Sequence, residues 1–267
     1  MKWCRLLVVG LLGAILALGL VPAGAIAAPG DTITLNATVR DFSDSHSDFE
    51  GAITGWVKGL VEENLGADGT PVLANPGSGD GAIASATSFH EWYHDAPGVN
   101  QAVVLPLSLV ENGAGVYEFY DSNFFPIDGQ LLGNEGRSHN YHFTLELHTD
   151  FTYQGGEVFQ FSGDDDVWVF INDKLVIDIG GVHSEATEDV ELDSLGLTPG
   201  QTYSFDFFFA ERHTVASNFK IQTSVELNPT PPIPEVPTIA LISIGLVGVA
   251  GFFCVRRLRQ HASAERS

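Results

Sequence analysis

Three carboxylates stand in a row in Gly163-Asp164-Asp165-Asp166, directly before the apolar run Val167-Trp168-Val169-Phe170-Ile171. Neighbouring anions repel, and an ionised carboxylate taken out of water without a partner is strongly disfavoured. A divalent cation relieves both costs. Donors that are all hard oxygens select Ca2+ over the softer transition metals. Asp164, Asp165 and Asp166 are therefore candidate calcium ligands, and the chemistry they suggest is cation-held binding.

Two other groupings could do different chemistry. His90-Glu91-Trp92-Tyr93-His94 fits the HExxH string, in which two histidines on one helix face hold zinc and the glutamate activates water. This is the basis of an alternative reading, a secreted metal-dependent hydrolase using His90, Glu91 and His94. Against it, Asp95-Ala96-Pro97-Gly98 ends any helix within a turn of His94. On a strand, His142, Thr144, Glu146 and His148 share one side and lie about 7 Å apart per step. A metal there needs a residue from a second strand, for which His183 is the candidate. The simpler expectation is a polar outer face, with Phe143, Leu145 and Leu147 turned inward. No nucleophile elbow, phosphate loop or dinucleotide fingerprint is present. Trp92, Tyr93, Trp168 and Tyr203 have the shape to stack on sugar rings, but large aromatics on strands are mainly core.

The elements that must position these residues read as strands. Thr32–Phe42, Ala102–Val110, His142–His148, Glu157–Phe161, Val167–Asn172, Leu175–Ile179, Gln201–Ala210 and Phe219–Val225 are alternating or apolar runs punctuated by Gly, Pro and Asn. Asn172-Asp173-Lys174 suits a tight hairpin. Regularly spaced short strands predict an all-β sandwich. The stretch 50–75 is less regular, and Trp56, Val57, Leu60 and Val61 suggest a short amphipathic helix.

The chain of 267 residues carries 12 Lys+Arg against 34 Asp+Glu. Half of the bases (Lys2, Arg5, Arg256, Arg257, Arg259, Arg266) lie near the ends, where Glu265 is the one acid, so the central body is more acidic still. That balance excludes nucleic acid as a partner and favours multivalent cations. Residues 1–27 read as a signal peptide: a basic start, an apolar run, and Ala25-Ile26-Ala27 at the cleavage position. After a Pro-rich spacer at 227–235, residues 236–255 form an uncharged apolar segment long enough to span a bilayer, followed by a basic tail at 256–267 expected on the cytoplasmic side. Cys4 and Cys254 both fall in the terminal apolar segments, so the body has no disulfide. The expected product is an exported, membrane-anchored domain at the cell surface.

Pro234-Glu235-Val236-Pro237, the apolar segment and the arginines after it resemble a bacterial exosortase sorting signal, with Val236 interposed in the usual Pro-Glu-Pro. That resemblance implies a sorting transpeptidase as partner. A second resemblance covers most of residues 38–226. Val39-Arg40-Asp41-Phe42, Trp92-Tyr93, Phe124-Phe125-Pro126-Ile127-Asp128-Gly129, His142 through His148, Gly163 through Asn172, Gly180-Gly181-Val182-His183 and Phe208-Phe209-Ala210-Glu211-Arg212-His213 are similar to the bacterial fibro-slime domain, a relative of the protective-antigen-type lectin-like β-sandwich (jelly-roll type). Residues 28–226 would form that domain. The resemblance implies that Asp164 and Asp165, joined by a cis peptide, bind Ca2+, which in turn holds a sugar's hydroxyls. It also implies that a second loop with Glu211, His213 and Asn218 faces them, with His183 nearby as a further ligand-binding residue. Asp166 stands where the wider family has a small residue, and Asn172-Asp173 stands where the family has Asn-Gly. The function expected is calcium-dependent binding of carbohydrate or extracellular polymer for adhesion or matrix assembly, without catalysis. The alternative within the same class is a structural slime protein whose calcium only stabilises loops.

Overall fold

The computed structural model describes residues 30–78 and 80–229. The expected signal peptide, the apolar segment 236–255, the basic tail and most of the spacer lie outside the described residues. No helix among the described residues is long and apolar enough to cross a membrane.

The described residues hold ten strands: β1 (Thr32–Phe42), β2 (Asn100–Glu111), β3 (Tyr117–Asp121), β4 (Phe143–Thr152), β5 (Val158–Gly163), β6 (Asp166–Ile171), β7 (Lys174–Ile179), β8 (Ala186–Glu191), β9 (Thr202–Glu211) and β10 (Phe219–Thr223). They form one antiparallel sheet in the order β7-β6-β9-β4-β1-β2-β3-β10-β5-β8. The expected all-β layering is present, but as a single sheet wrapped on itself. Phe159 and Phe161 of β5 pack on Phe205 and Phe207 of β9, and Phe219 of β10 packs on Phe207 and Phe209, although these strands are not neighbours in the sheet. The outermost strands also meet, where the Asp178 N–H of β7 donates to Glu188 of β8. The two halves thus enclose one core, which includes Leu145, Val167, Val169, Phe207 and Ile221.

β6 explains its own composition. It hydrogen-bonds between β7 and β9, and all six of its residues are buried. Val167, Val169 and Ile171 face the main core. Trp168 and Phe170 face outward and are covered by the segment between β1 and β2, whose Leu60, Val61, Leu73, Phe89 and Trp92 form a second cluster with them. A strand covered on both sides reads as continuous apolar sequence. Trp92, Tyr93 and Trp168 are accordingly buried, as core aromatics.

This segment carries a helix, α1 (Ala86–His90), capped by Ser85 and Ser88 and continued by a 3-10 turn over Glu91–Tyr93. Residues 50–75 hold no helix. Gly55 and Gly59 adopt positive φ, and Val57 and Val61 make isolated bridges to Gly180 and Leu73. The apolar residues that suggest a helical face are instead anchors of an extended flap. Two strands escaped the sequence reading: β8, whose Ala-Thr-Glu-Asp-Val-Glu is mostly charged because it is an edge, and the five-residue β3.

Candidate functional site: a carboxylate cavity between crossing loops

The chain passes from β5 in one half of the sheet to β6 in the other through Asp164 and Asp165, whose peptide bond is cis. The β9–β10 connection makes the reverse crossing beside it. Gly163 is required at this approach, because a Cβ there would lie 2.3 Å from the Asn218 carbonyl oxygen. These loops, the segment after β7, and Ile53 from the flap enclose an open cavity of about 540 Å³. Asp164, Asp165, His183, His213, Val215 and Asn218 line it.

Backbone donors fix the two carboxylates. Asp164 accepts from the Asn218 N–H at 2.6 Å and from Asn218 Nδ2 at 3.0 Å. Asp165 accepts from the His183 N–H at 3.0 Å and the Arg212 N–H at 3.1 Å. The cis pair therefore ties together all three loops of the cavity. His183 and His213 each donate Nδ1–H to a neighbouring carbonyl, of Ser184 and Thr214 respectively, which leaves Nε2 of each neutral ring as an acceptor.

Asp166 departs from the expected ligand set. It is fully buried, and both its oxygens are held by Arg212, from Nε at 2.6 Å and from Nη2 at 3.1 Å, while the Gly181 N–H also donates to it. The same guanidinium donates to the carbonyls of Asp48 and Gly81 and lies 4.9 Å from the centre of the Trp92 ring. A buried carboxylate with a bidentate arginine has its charge answered already. Asp166 is thus engaged in a structural ion pair with Arg212. Arg212 is the residue of this site that the sequence alone leaves without a role. Its signal was a lone base closing an apolar strand, in a body with few bases.

With the Arg212 guanidinium bonded to Asp166, the hydrogen bonds to Asp164 and Asp165 come only from neutral N–H donors, and the charge of Arg212 offsets only part of the cost of burying Asp165. Burial, and then the charge of Asp166, pushes the Asp165 carboxyl up to about 7. Burial also raises Asp164. Glu211, at the end of β9, is almost wholly buried, and burial followed by the charges of Asp165 and Asp164 raises its carboxyl far above the usual range. Among the described residues four buried side-chain polar atoms lack a hydrogen-bond partner, and three belong to these loops: Glu211 Oε2, His183 Nε2 and Ser217 Oγ. Buried polar atoms are almost always satisfied, so orphans gathered at one place call for a partner, which water, an ion, a ligand or a small turn of the Ser217 hydroxyl toward Glu211 can supply. The side-chain oxygens of Asp164, Asp165, Glu211 and Asn218 are a donor set suited to Ca2+. His183, His213 and Asn218 line the cavity, while Glu211 is buried and does not reach its wall.

The competing groupings resolve differently. Glu91 of the HExxH string turns to His46 at 3.1 Å. His142 is buried between Glu50 and Glu135, Glu146 is held by Arg40, and His148 pairs with Asp206. These side chains are thus engaged with other partners, Glu146 also lying 3.8 Å from His148, and His183 lines the cavity instead of closing that face. Phe143, Leu145 and Leu147 do point into the core, as expected. The opposite side is polar but is partly covered by the flap, with Thr144 donating to the Trp92 carbonyl.

Residues 134–233 match the family model of the PA14 domain. Among curated proteins, psiD of Dictyostelium discoideum is 44% identical over 210 residues, covering 73% of this chain and 42% of psiD. Its fellow psiR is 44% identical over 212 residues, covering 73% of this chain and 21% of psiR. The chain thus spans between about a fifth and two fifths of the length of these relatives. Among solved structures, a PA14 sugar-binding domain from an RTX adhesin aligns with a TM-score of 0.33 and 11% identity, covering 73% of this chain and 94% of that one. The β-glucosidase from Kluyveromyces marxianus in complex with glucose aligns with a TM-score of 0.30 and 14% identity, covering 71% of this chain and 20% of the enzyme.

Proposed function

We propose that this chain is an exported binding module that holds carbohydrate or an extracellular polymer through Ca2+ at Asp164 and Asp165, and that it performs no covalent chemistry. The observation that carries the reading is the buried carboxylate group of Asp164, Asp165 and Glu211, to which no cationic side chain is hydrogen-bonded, beside an open cavity. The PA14 domain matched by residues 134–233 is a carbohydrate-binding, adhesion-type module, which supports the same conclusion. When bound, Ca2+ supplies positive charge and open coordination positions for hydroxyl oxygens. The chain's own residues orient the Asp164–Asp165 pair, supply acceptor nitrogens from His183 and His213 for sugar hydroxyl donors, and offer Ile53 and Val215, 71% and 89% exposed, as apolar contacts. Export, membrane tethering and the fibro-slime role in matrix assembly are part of the proposal and rest on the sequence of the terminal segments and on the motifs named above.

One observation favours a second reading. Asp164 and Asp165 are only 6% and 4% exposed, so Ca2+ there could rivet the three loops without holding a ligand. A glycan and polysaccharide array probed with the chain in Ca2+ and again in EDTA separates the two. The binding reading predicts retention that EDTA abolishes. Ca2+-dependent melting with no retained glycan would leave the structural role, and retention unaffected by EDTA would defeat both.

A further inference from the structure

We infer that Asp68, His90 and His94 form a surface site for a divalent transition metal of the zinc class, separate from the carboxylate cavity. One donor atom from each residue lies within 4.8 Å of the others. The donors around a tetrahedral zinc ion are about 3.3 Å apart. Asp68 and His90 are exposed and His94 is half-buried; with Asp68 and His94 held by hydrogen bonds, closing the difference takes rotation of the exposed His90 ring out of its stack on His94.

The details around each donor suit ligation. His90 ends α1, and His94 follows one turn later across the 3-10 segment, so their rings stack with centroids 3.7 Å apart at an interplanar angle of 9°. His94 Nδ1–H donates to the His90 carbonyl at 2.8 Å. This fixes the tautomer and leaves the Nε2 lone pair free, which is the outer hydrogen bond that orients metal-binding histidines. That Nε2 stands 3.4 Å from Asp68 Oδ2, long for a direct hydrogen bond. The other oxygen, Oδ1, accepts from the Thr70 N–H and Oγ1, which holds the carboxylate in place.

Two imidazoles and one carboxylate select Zn2+, Ni2+ or Cu2+ over Ca2+. Three protein ligands on an exposed surface leave a further position to solvent or to a donor from another molecule. The bound ion would join the Gly66–Thr70 turn to α1, two parts of the flap that covers Trp168 and Phe208. Glu91 is turned to His46, away from these donors, and the role inferred is to bind and clamp.

The test is a calorimetric Zn2+ titration of the metal-stripped chain in excess Ca2+, with Co2+ absorption as an independent readout of ligand type. The inference predicts one Zn2+ per chain, weakened at least about tenfold by His90→Gln or Asp68→Asn and unchanged in Asp164→Asn/Asp165→Asn. Both single substitutions are on exposed side chains, so near-UV circular dichroism should match the parent. Absence of Zn2+ binding, or binding that survives both substitutions, would overturn the inference.

Discussion

Asp165 carries the electrostatic tension of the site. Its carboxyl titrates at about 7 in the folded chain against an ordinary 3.8, because burial and the charge of Asp166 oppose ionisation. A raised folded-state value means that the native chain binds this proton more tightly than the unfolded chain. The associated stability is full below about pH 4 and is lost as the pH climbs through about 7. Ca2+ should reverse the loss by substituting for the proton. Thermal melts in EDTA should therefore fall between about pH 5 and about pH 8 more steeply for the parent than for Asp165→Asn, and Ca2+ should raise the melting temperature more at the higher pH. Equal pH slopes for parent and variant would contradict this account. Asp164 and Asp165 were legible in the sequence because the pair is contiguous and sits against a strand. Asp166 was not, since its partner Arg212 arrives from another strand and no local pattern links them. Glu211 was legible only through the motif resemblance, and its burial beside Asp164 and Asp165 emerges only in three dimensions.

At the scale of elements, the β6–β7 hairpin turns through Asn172 and Asp173, with φ of 52° and 62°. Both values match the type I′ turn that two-residue hairpins prefer, in which glycine follows asparagine most comfortably. Asp173→Gly should therefore stabilise the chain by up to about 1 kcal/mol, read as a higher urea midpoint with an unchanged slope. A lower midpoint would show that the Asp173 side chain makes a contribution the backbone does not reveal. Strand positions were readable where one face is apolar, as in β1 and β4. Reading failed where solvent exposure removed the pattern, as in β8. It also failed where apolar residues anchor a flap, as with Val57, Leu60 and Val61. Those side chains pack on a sheet that is distant in sequence, so their spacing follows the partner surface and not a helical period.

Across the whole molecule, one sheet wraps on itself and a flap covers its outer face. The crossings between halves bring Asp164, Asp165, Glu211 and Asn218 together at one end. Arg212 joins that end to the flap by bonding Asp166 on one side and the Asp48 and Gly81 carbonyls on the other. The all-β class followed from strand periodicity. The continuous order of the sheet did not, because periodicity says which residues face inward and not which strands are neighbours. The central claim is that a divalent ion completes the acidic end of this fold, and isothermal calorimetry with Ca2+ tests it most directly. The parent chain should bind one Ca2+ with a heat that disappears in Asp164→Asn/Asp165→Asn, whereas no binding by the parent, or an undiminished heat in the double variant, would contradict the account.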